Sequence, residues 1–551
     1  MGNRFAASPS IRACSTACRA RGVPSSHVRS AETIEQLARQ RLGFRHLRPG
    51  QLQAVAAAIA GRDVLAVLPT GGGKSAIYEL AGMLREGPTV VVSPLIALQD
   101  DQFAHLRAAG LNAIVLNSHQ SAHEHAAALT VACGPDAFVF LSPEQLGNAR
   151  TREVLERARP GLFVVDEAHL VSQWGHDFRT DYLRLGAQAD ALRVPVRMAL
   201  TATAAPPVRE EIVRRLGLHD PEVVIGDFDR PHIALAARCV RTEDEKHGEL
   251  RSVAAETKGA GIVYAATHAG AEAARDALAA AGESVVMYHA GLSPRARHAA
   301  MASFLDGSAR IVTATVAFGM GIDKPDIRWV VHVDPPPSLD AYYQEIGRAG
   351  RDDEASNVLL LYRAEDFGSA VHFTSRGVSR VSVARVAALL ESGNDVPGTR
   401  ATTAALVRLV DLGAAAWDAG GTVRWTGALT VAAAVGESEA ETERENEVER
   451  SRLEMMRRYA EHTGCRRSFL LSYFGQSYSG PCRNCDNDAT SAVVTGNEEP
   501  YAVGTRVVSE RWGEGTVQRY DGDQLTVLFD DHGYRDLLLP LVVERGLLRA
   551  G

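Results

Sequence analysis

Two adjacent acids, Asp166 and Glu167, are the residues with the clearest potential for chemistry. They follow the apolar run Leu162–Val165. Such a run is typical of a buried parallel strand, and ligands of open α/β sheets bind at the carboxyl ends of those strands. There Asp166 can hold Mg²⁺ through water, and Glu167 can orient a hydrolytic water. The pair therefore predicts phosphate chemistry.

A glycine-rich segment, PTGGGKS at residues 69–75, supplies the second half of that chemistry. It follows the apolar run 64–68 and precedes a predicted helix. Glycines let backbone amides approach phosphates, and a helix N-terminus adds a positive partial charge. Lys74 is expected to reach the β- and γ-phosphates and Ser75 to hold Mg²⁺. The remaining predicted contacts are Thr70, Gly71, Gly72 and Gly73. Leu68 occupies the place of the usual first glycine, so a chance glycine-rich turn is the alternative.

Residues on either side of these motifs could contact a base. Phe44, Arg48 and Gln51 lie just upstream of the glycine-rich segment. A ring can stack on adenine, and the Gln51 amide can donate to and accept from its Watson–Crick edge. The alternative is ordinary surface residues between two helices. Downstream of the acids, the loop carries rings and a cation that can stack on unpaired bases, namely Trp174, His176, Phe178, Arg179 and Tyr182.

A second α/β block begins near Asp227 and closes with YYQEIGRAGRD at residues 342–352. Arg348 and Arg351 are three residues apart, and we expect them on one face of a helical turn. With Gln344, they predict arginine fingers for a nucleotide held by the first block. Two surface arginines in salt bridges are the alternative. Between the blocks, Thr201 and Thr203 either link hydrolysis to movement or cap the following helix.

The chain of 551 residues is long enough for three or more domains. Its net charge of −8 argues against a uniformly basic coat, so any nucleic-acid contact must be local. Apolar runs stay below the ~20 residues of a membrane span. Seven cysteines in so long a chain indicate a reducing compartment and not a secreted disulfide scaffold. We expect the location to be the bacterial cytoplasm, in association with the nucleoid. Residues 1–30 carry arginines without acids and predict a disordered tail, with a transit peptide or a DNA-contacting arm as alternatives.

Residues 31 to about 370 resemble the helicase core of the RecQ family of superfamily 2 DNA helicases. The segments that carry the resemblance are LGFRHLRPGQ, PTGGGKS, SPLIALQDDQ, DEAHLVSQWGHDFRTDY, LTATA, FDRPHI, YHAGLS, TVAFGMGIDKP and YYQEIGRAGRD. The resemblance implies an α/β fold with two RecA-like (P-loop) lobes, at 31–225 and 226–370. It implies ATP and Mg²⁺ between the lobes and 3′-to-5′ unwinding of single-stranded and branched DNA in repair or recombination. The loop from Trp174 to Arg179 would couple DNA binding to hydrolysis.

Beyond the core, residues 371–440 predict two helices and a hairpin, either a winged-helix-like insertion or a merely structural subdomain. Residues 441–490 resemble the family's helical hairpin that binds Zn²⁺, with a long helix over 437–465. Cys465, Cys482 and Cys485 are three of its ligands, and Asp488 stands where the family has a fourth cysteine. Asp can ligate Zn²⁺ but is a harder ligand than thiolate. Three cysteines with another ligand, or a metal-free hairpin, are the alternatives.

Residues 498–551 predict a small all-β unit with a turn at Asp521–Gly522. The unit resembles the SH3-like or Tudor-like barrel that ends UvrD-type helicases, which makes RNA polymerase or DNA its expected partner. Trp512 and Tyr520 could form a binding surface or a core.

The sequence leaves two further functions of the whole chain open. One is a DNA-stimulated ATPase, translocase or annealing factor without strong unwinding, and the other is a non-catalytic adaptor that binds DNA or RNA polymerase. Lys74, Asp166, Glu167, Arg348 and Arg351 argue against the adaptor.

Overall fold

The structure is a computed structural model. It describes residues 31–48, 50–69, 71–94, 96–116, 120, 128–132, 134–172, 182, 184–319, 322, 324–368, 378–417, 422–478, 480–488, 500–521 and 523–550.

The first lobe is built on a seven-stranded parallel sheet in the order β3-β4-β2-β5-β6-β1-β7. Its central strands are short apolar runs that are buried along their whole length, as a sheet covered on both faces requires. The strands are β1 (Val64–Val67), β2 (Thr89–Val92), β3 (Asn112–Leu116), β4 (Ala137–Leu141), β5 (Leu162–Val165), β6 (Arg197–Thr201) and β7 (Glu222–Ile225). The helices are α1 (Ala31–Leu42), α2 (Gln51–Ile59), α3 (Lys74–Leu84), α4 (Ile96–Ala108), α5 (Pro143–Leu146), α6 (Ala149–Ala158), α7 (Leu185–Ala191) and α8 (Pro206–Leu216).

The second lobe repeats this architecture with a six-stranded parallel sheet in the order β10-β11-β9-β12-β13-β8. Its strands are β8 (Ile233–Cys239), β9 (Ala260–Tyr264), β10 (Val285–Tyr288), β11 (Ile311–Ala314), β12 (Ile327–His332) and β13 (Ser356–Tyr362). Its helices are α9 (Glu243–Glu256), α10 (His268–Ala280), α11 (Pro294–Leu305) and α12 (Leu339–Ile346). The two parallel sheets confirm the predicted pair of RecA-like lobes.

A helical region follows the second lobe. It contains α13 (Arg380–Glu391), α14 (Arg400–Asp411), the hairpin β14 (Ala415–Trp417) and β15 (Val423–Trp425), α15 (Val431–Glu461) and α16 (Arg466–Tyr473). The predicted boundary at residue 440 falls inside α15, which runs unbroken from the hairpin unit into the cysteine region. α15 ends four residues before Cys465, so the predicted helix over 437–465 was placed too far along the chain. Cys465 instead lies at the N-cap position of α16, without a side-chain capping bond.

The C-terminal unit is a five-stranded antiparallel sheet in the order β19-β18-β17-β16-β20. Its elements are β16 (Arg506–Ser509), β17 (Gly513–Asp521), β18 (Gln524–Phe529), β19 (Gly533–Leu538), α17 (Leu539–Arg545) and β20 (Arg549–Ala550). Trp512 and Tyr520 pack against the unit's own apolar core, which favours the core alternative for both. The other side of the sheet contributes Leu528 and Tyr534 to the core that spans the lobes.

Within the described residues, no helix combines the length and the apolar character needed to cross a membrane.

Candidate nucleotide and metal sites

The glycine-rich segment connects β1 to α3 through backbone conformations that require glycine. Gly73, the residue before α3, has a φ of 71°, in the left-handed region. A Cβ on Gly72 would lie 2.7 Å from the Pro69 carbonyl oxygen. The chain can therefore turn tightly enough to present its amides at the start of α3, where Lys74 and Ser75 lie half-buried. Thr70 lies outside the described residues.

Gln51 is buried and already hydrogen-bonded to this segment. Its Nε2 donates to the carbonyl oxygens of Gly72 at 3.1 Å and Gly73 at 2.8 Å. Its Oε1 accepts from the Arg48 backbone N–H at 2.6 Å. The sequence did not predict these contacts, because an amide has the same bonding capacity toward a base and toward a backbone. Adenine recognition by Gln51 stays a prediction, and it requires Gln51 to exchange these bonds. Phe44 packs partly buried against the lobe 1 core.

Asp166 and Glu167 follow β5 directly, at the carboxyl end of the strand. Burial and the Glu167 carboxylate raise the pKa of Asp166 to about 6, although the Lys74 ammonium opposes the shift. A buried carboxylate that is costly to ionise is a site where a divalent cation is stabilising. Glu167 has a φ of 50°, a strained conformation for a residue other than glycine.

A chain of polar contacts joins these acids to β6. His169 Nδ1 lies 3.4 Å from Glu167 Oε2 and 2.9 Å from Thr201 Oγ1. Thr201 Oγ1 in turn donates to the Thr203 carbonyl oxygen at 3.0 Å. The next helix, α8, has Ala205 at its N-cap and no side-chain cap. The helix-capping alternative for Thr201 and Thr203 is therefore wrong, and Thr201 is linked to Glu167 through one imidazole.

Arg348 and Arg351 lie in the turn that follows α12, not on one face of a helix as predicted. α12 ends at Ile346, and the Gly350 backbone N–H bonds to the Ile327 carbonyl oxygen of β12 instead of continuing the helix. Arg348 is 4% exposed and lies beside the Tyr264 hydroxyl, whose pKa is raised chiefly by burial. Gln344 lies half-buried on α12.

Arg351 reaches the first lobe. A Cβ built on Gly71 would lie 4.0 Å from Arg351 Cγ, so the arginine stem rests against the glycine-rich segment. A cleft of about 380 Å³ separates the lobes here, and its walls include Arg48, Gly72 and Arg351. The cleft thus brings together the phosphate-binding segment of one lobe and the predicted finger of the other.

Two residues of this site were not predicted. Arg230 Nη2 donates to the carbonyl oxygens of Ala349 at 3.3 Å and Gly350 at 3.2 Å, and so holds the turn between the two arginines. Gln102 of α4 hydrogen-bonds Asp166 through its side chain. Both lie in segments that carried the family resemblance, FDRPHI and SPLIALQDDQ. Residue type and spacing gave no indication of these contacts, because they join separate elements.

The predicted DNA-contacting residues Trp174, His176, Phe178 and Arg179 lie outside the described residues. Tyr182, which the sequence placed with them, is 1% exposed and belongs to the lobe core. Its predicted role in base stacking is therefore wrong.

Cys465, Cys482, Cys485 and Asp488 converge, and their potential ligand atoms all lie within 4.8 Å of one another. Ligand atoms of a tetrahedral Zn²⁺ site with Zn–S bonds of ~2.3 Å lie ~3.8 Å apart, so the cluster fits Zn²⁺. Asp488 Oδ2 accepts from the Cys482 thiol at 3.4 Å and from the Cys485 backbone N–H at 2.8 Å. Burial opposes ionisation of Asp488, but these bonds outweigh it and lower its pKa.

The cysteine loop is fastened to the edge strand of lobe 2. Leu235 of β8 makes two backbone hydrogen bonds with this loop: its N–H donates to the Asn484 carbonyl oxygen at 3.2 Å, and its carbonyl oxygen accepts from the Asp486 N–H at 3.0 Å. The loop thus pairs with β8, which would otherwise present unpaired backbone groups at the sheet edge.

Three family models match the chain in this order, DEAD/DEAH box helicase at residues 48–212, Helicase conserved C-terminal domain at 245–353 and RecQ zinc-binding at 430–489. A Bacillus subtilis protein named "Probable ATP-dependent DNA helicase RecS" is 37% identical over 336 residues, which cover 61% of this chain and 68% of the relative. The chain belongs to the RecQ family of helicases.

Other RecQ relatives are longer than the matched part. The ATP-dependent DNA helicases RecQ of Pasteurella multocida and Haemophilus influenzae are 32% and 31% identical, over 81% of this chain. The chain spans only 60% and 61% of their lengths. A solved structure of the DUF1998 helicase MrfA bound to DNA has a TM-score of 0.51 at 18% identity, covering 75% of this chain and 64% of that one, which supports the fold alone.

The cofactors follow from family and geometry together. A DEAD/DEAH box domain with this glycine-rich segment and a buried Asp166 takes ATP and Mg²⁺. A RecQ zinc-binding domain with four converging ligand atoms takes Zn²⁺.

Proposed function

We propose that this protein is an ATP-dependent DNA helicase that moves 3′-to-5′ on single-stranded DNA and separates the strands of branched or duplex DNA. The observation that carries the proposal is the approach of Arg351 in lobe 2 to Gly71 in lobe 1 across a cleft that also holds Arg48. A nucleotide between the lobes would have its phosphates within reach of both.

Each residue of the cleft has a defined task in this proposal. Bound Mg²⁺·ATP supplies the γ-phosphate to be transferred to water and the cation that offsets its charge. Lys74 and the glycine amides hold the phosphates, and Ser75 and Asp166 hold the cation. Glu167 orients the attacking water. Arg348 and Arg351 stabilise charge on the transferred group, with Gln344 beside them, while Phe44, Arg48 and Gln51 hold the base.

The link between DNA and hydrolysis runs through the segment after Glu167. Trp174, His176, Phe178 and Arg179 offer three rings and a cation within fifteen residues of the catalytic acids. Stacking on unpaired bases is sequence-tolerant, as a translocating motor requires. MrfA, which shares the fold, was solved bound to DNA. We propose that this loop binds single-stranded DNA and that the Glu167–His169–Thr201 contacts transmit its position.

We also propose a protein partner, RNA polymerase, for the C-terminal sheet, and association with the nucleoid. Support comes from exposed apolar residues of this unit, since Val508, Leu538 and Val543 are at least 40% exposed. The Tyr534 region of the sheet is already buried, so a partner would contact these exposed residues. Co-purification from cells with and without residues 500–551 tests this contact, and loss of polymerase only without the sheet is the expected result.

The test of the main proposal is ATP hydrolysis with and without single-stranded DNA, combined with unwinding of DNA and RNA duplexes. We expect hydrolysis to rise with DNA in the wild type, and this stimulation to be lost in Trp174→Ala. Lys74→Ala should abolish hydrolysis and unwinding, whereas Lys258→Ala, an exposed lysine of lobe 2, should change neither. Hydrolysis without unwinding would indicate a translocase or annealing factor. Absence of DNA stimulation in the wild type would contradict the motor and favour the adaptor.

A further inference from the structure

The N-terminal end of α12 is held by side chains from outside its own lobe. Asp340, in the first turn of α12, is 4% exposed. The Tyr473 hydroxyl of α16 donates a hydrogen bond to Asp340 Oδ2. Tyr534 of β19, in the C-terminal sheet, stacks on Tyr473 with ring centroids 5.5 Å apart and an interplanar angle of 30°. A line of contacts therefore runs from the C-terminal sheet through α16 to α12.

The charge of this buried cluster is balanced locally. Arg452 of α15 is 3% exposed and donates to Glu449 Oε1 at 2.9 Å. Burial lowers the pKa of Arg452, but Glu449, Tyr473 and Asp340 outweigh it and raise that pKa. A buried carboxylate beside a buried guanidinium and a phenol hydroxyl is stabilising only if the geometry is kept. This cluster therefore resists displacement of α12.

The rest of α12 is fixed as well. Tyr342 and the α15 residue Tyr459 share a hydroxyl contact at 3.2 Å. The Tyr343 hydroxyl donates to the Phe228 carbonyl oxygen at 2.8 Å, and Glu345 lies 2.8 Å from His332 Nε2 of β12. Arg348 comes two residues after α12 ends. A shift of the helix would thus move the turn that carries the predicted fingers.

The C-terminal sheet is docked by several independent contacts. Arg458 of α15 pairs with Asp536, and Arg535 pairs with Glu447 of α15. The Arg519 guanidinium lies 3.8 Å from the centre of the Phe469 ring in α16. The Tyr534 ring is 7% exposed. The sheet therefore packs against α15 and α16 as part of the motor, although its sequence alone suggested a separate binding module.

We propose that Tyr473 and Tyr534 are positioning residues for ATP hydrolysis, through which the C-terminal sheet holds α12 and so places Arg348 and Arg351 at the nucleotide cleft. The inference rests on the proposed ATPase function and adds a role for the sheet within it. Neither tyrosine touches the cleft, so both act through α12.

The first measurement compares full-length Tyr473→Phe with the wild type. Losing the hydroxyl should lower kcat of DNA-stimulated ATP hydrolysis about tenfold, with KM for ATP within about twofold, because misplaced fingers slow chemistry more than binding. Tyr534→Leu should act alike, and Tyr534→Phe, which keeps the ring, should restore most activity. The matched control is Tyr520→Phe, whose hydroxyl bonds to Tyr501 within the sheet. An unchanged kcat in Tyr473→Phe and Tyr534→Leu would overturn the inference.

A double-mutant cycle separates positioning from general destabilisation. In an Arg351→Ala background, Tyr473→Phe should cause less than about a twofold further loss, because both changes act on the same step. A full additional tenfold loss would mean that Tyr473 acts elsewhere and would overturn the inference.

Hydrogen exchange of the full chain tests, without any catalysis, whether Tyr473 holds α12 and the turn that follows it. Tyr473→Phe should speed amide exchange in residues 339–352 about tenfold and leave the lobe 1 strands unchanged. Exchange equal to the wild type would overturn the inference even if hydrolysis fell. If the wild type hydrolyses no ATP, the proposed function fails, whereas faster exchange in this segment would still support the link from the sheet to the arginine turn.

Discussion

Lobe 2 has two sides that differ in how they meet the rest of the molecule. On the cleft side it faces lobe 1 across a space of about 380 Å³ lined by charged side chains such as Arg48, Arg230 and Arg351. On the other side it meets α15, α16 and the C-terminal sheet through a continuous buried core that includes Tyr342, Tyr459 and Tyr473. The cleft side has room to close, and the packed side does not.

The packed side also supports the segment that joins the lobes. The segment that joins the lobes is supported by Gln476, which accepts from the Phe228 backbone N–H at 2.9 Å and donates to Asp227 Oδ1 at 2.7 Å. The packed side also reaches lobe 1, through contacts that include the hydrogen bond from Arg209 Nη2 to the Phe474 carbonyl oxygen at 2.9 Å and the Arg215–Asp411 ion pair. The apolar core likewise continues from the packed side into lobe 1.

Removing the arginine that crosses the cleft should have the largest effect. Arg351→Ala is expected to slow ATP hydrolysis by about 10³-fold, the low end for an arginine finger, because charge on the transferred phosphoryl group loses its partner. Binding of a non-hydrolysable ATP analogue should change by less than about threefold, since the phosphate-binding segment is intact. Steady-state hydrolysis and analogue titration measure the two effects.

Arg275→Ala is the matched control, because Arg275 lies half-exposed on α10, away from the cleft, and pairs with its neighbour Asp276. Its hydrolysis should equal that of the wild type. Hydrolysis by Arg351→Ala within tenfold of the wild type would contradict the finger role and leave the approach of Arg351 to Gly71 a packing contact.

On the packed side, changing Asp488, the predicted fourth ligand of the zinc cluster, should have a smaller effect. Asp488→Ala is expected to weaken zinc affinity by about 100-fold, or ~2.7 kcal/mol, and to lower the melting temperature. Asp488→Cys should strengthen zinc binding, because thiolate is a softer ligand than carboxylate. Competition with a chromogenic chelator measures affinity, and thermal melting measures stability.

Asp276→Ala, on exposed α10, controls for loss of a carboxylate away from the cluster. If Asp488→Ala keeps wild-type zinc affinity, three cysteines and another ligand hold the ion. In either case hydrolysis should fall less than in Arg351→Ala, because the zinc loop supports β8 and does not line the cleft.

The elements of both lobes could be predicted because their strands are apolar runs bounded by glycine and polar residues. Leu162–Val165 was placed to the residue. What failed were contacts between elements. The spacing of Arg348 and Arg351 fits a helix, but bonding of Gly350 to β12 ends it. Tyr182 looks like the neighbouring ring residues in sequence, and only its burial in the core separates it from them.

In the candidate site, too, residues placed by local sequence patterns were predicted, and contacts between separate elements were not. Asp166 and Glu167 lie at a strand end and Lys74 begins the helix after the glycine-rich segment, so local sequence patterns place all three directly. Gln51, Gln102 and Arg230 act through partners that are distant in sequence, and nothing in their types or spacing names those partners. The docking of the C-terminal sheet was missed for the same reason, since Tyr534 and Arg519 belong to an otherwise ordinary alternation of β residues.

The smallest expected effect is the pH dependence of the stability that one ion pair of lobe 1 contributes. It compares a solvent-exposed pair with the buried charges of the Arg452 cluster. His105 of α4 lies with Nδ1 3.5 Å from Oε1 of Glu79, a buried acid of α3, and the imidazole is nearly half exposed. The hydrogen bond that the His105 imidazole donates to Glu79 raises the pKa of His105, with burial opposing it. Because the folded pKa exceeds the unfolded one, this pair stabilises fully at low pH and loses its contribution as pH rises through the folded pKa.

Between pH 6 and pH 8, the stability difference between wild type and His105→Gln should therefore shrink, by less than about 1 kcal/mol because solvent screens the exposed partner. Urea unfolding at both pH values measures it, and His298→Gln, exposed on α11, should show no such trend. A difference that grows with pH would mean that His105 acts as a neutral ring beside Phe44, whose ring centroid lies 6.4 Å away. A difference well above 1 kcal/mol would mean that the His105–Glu79 pair is shielded from solvent, as the Arg452 cluster is.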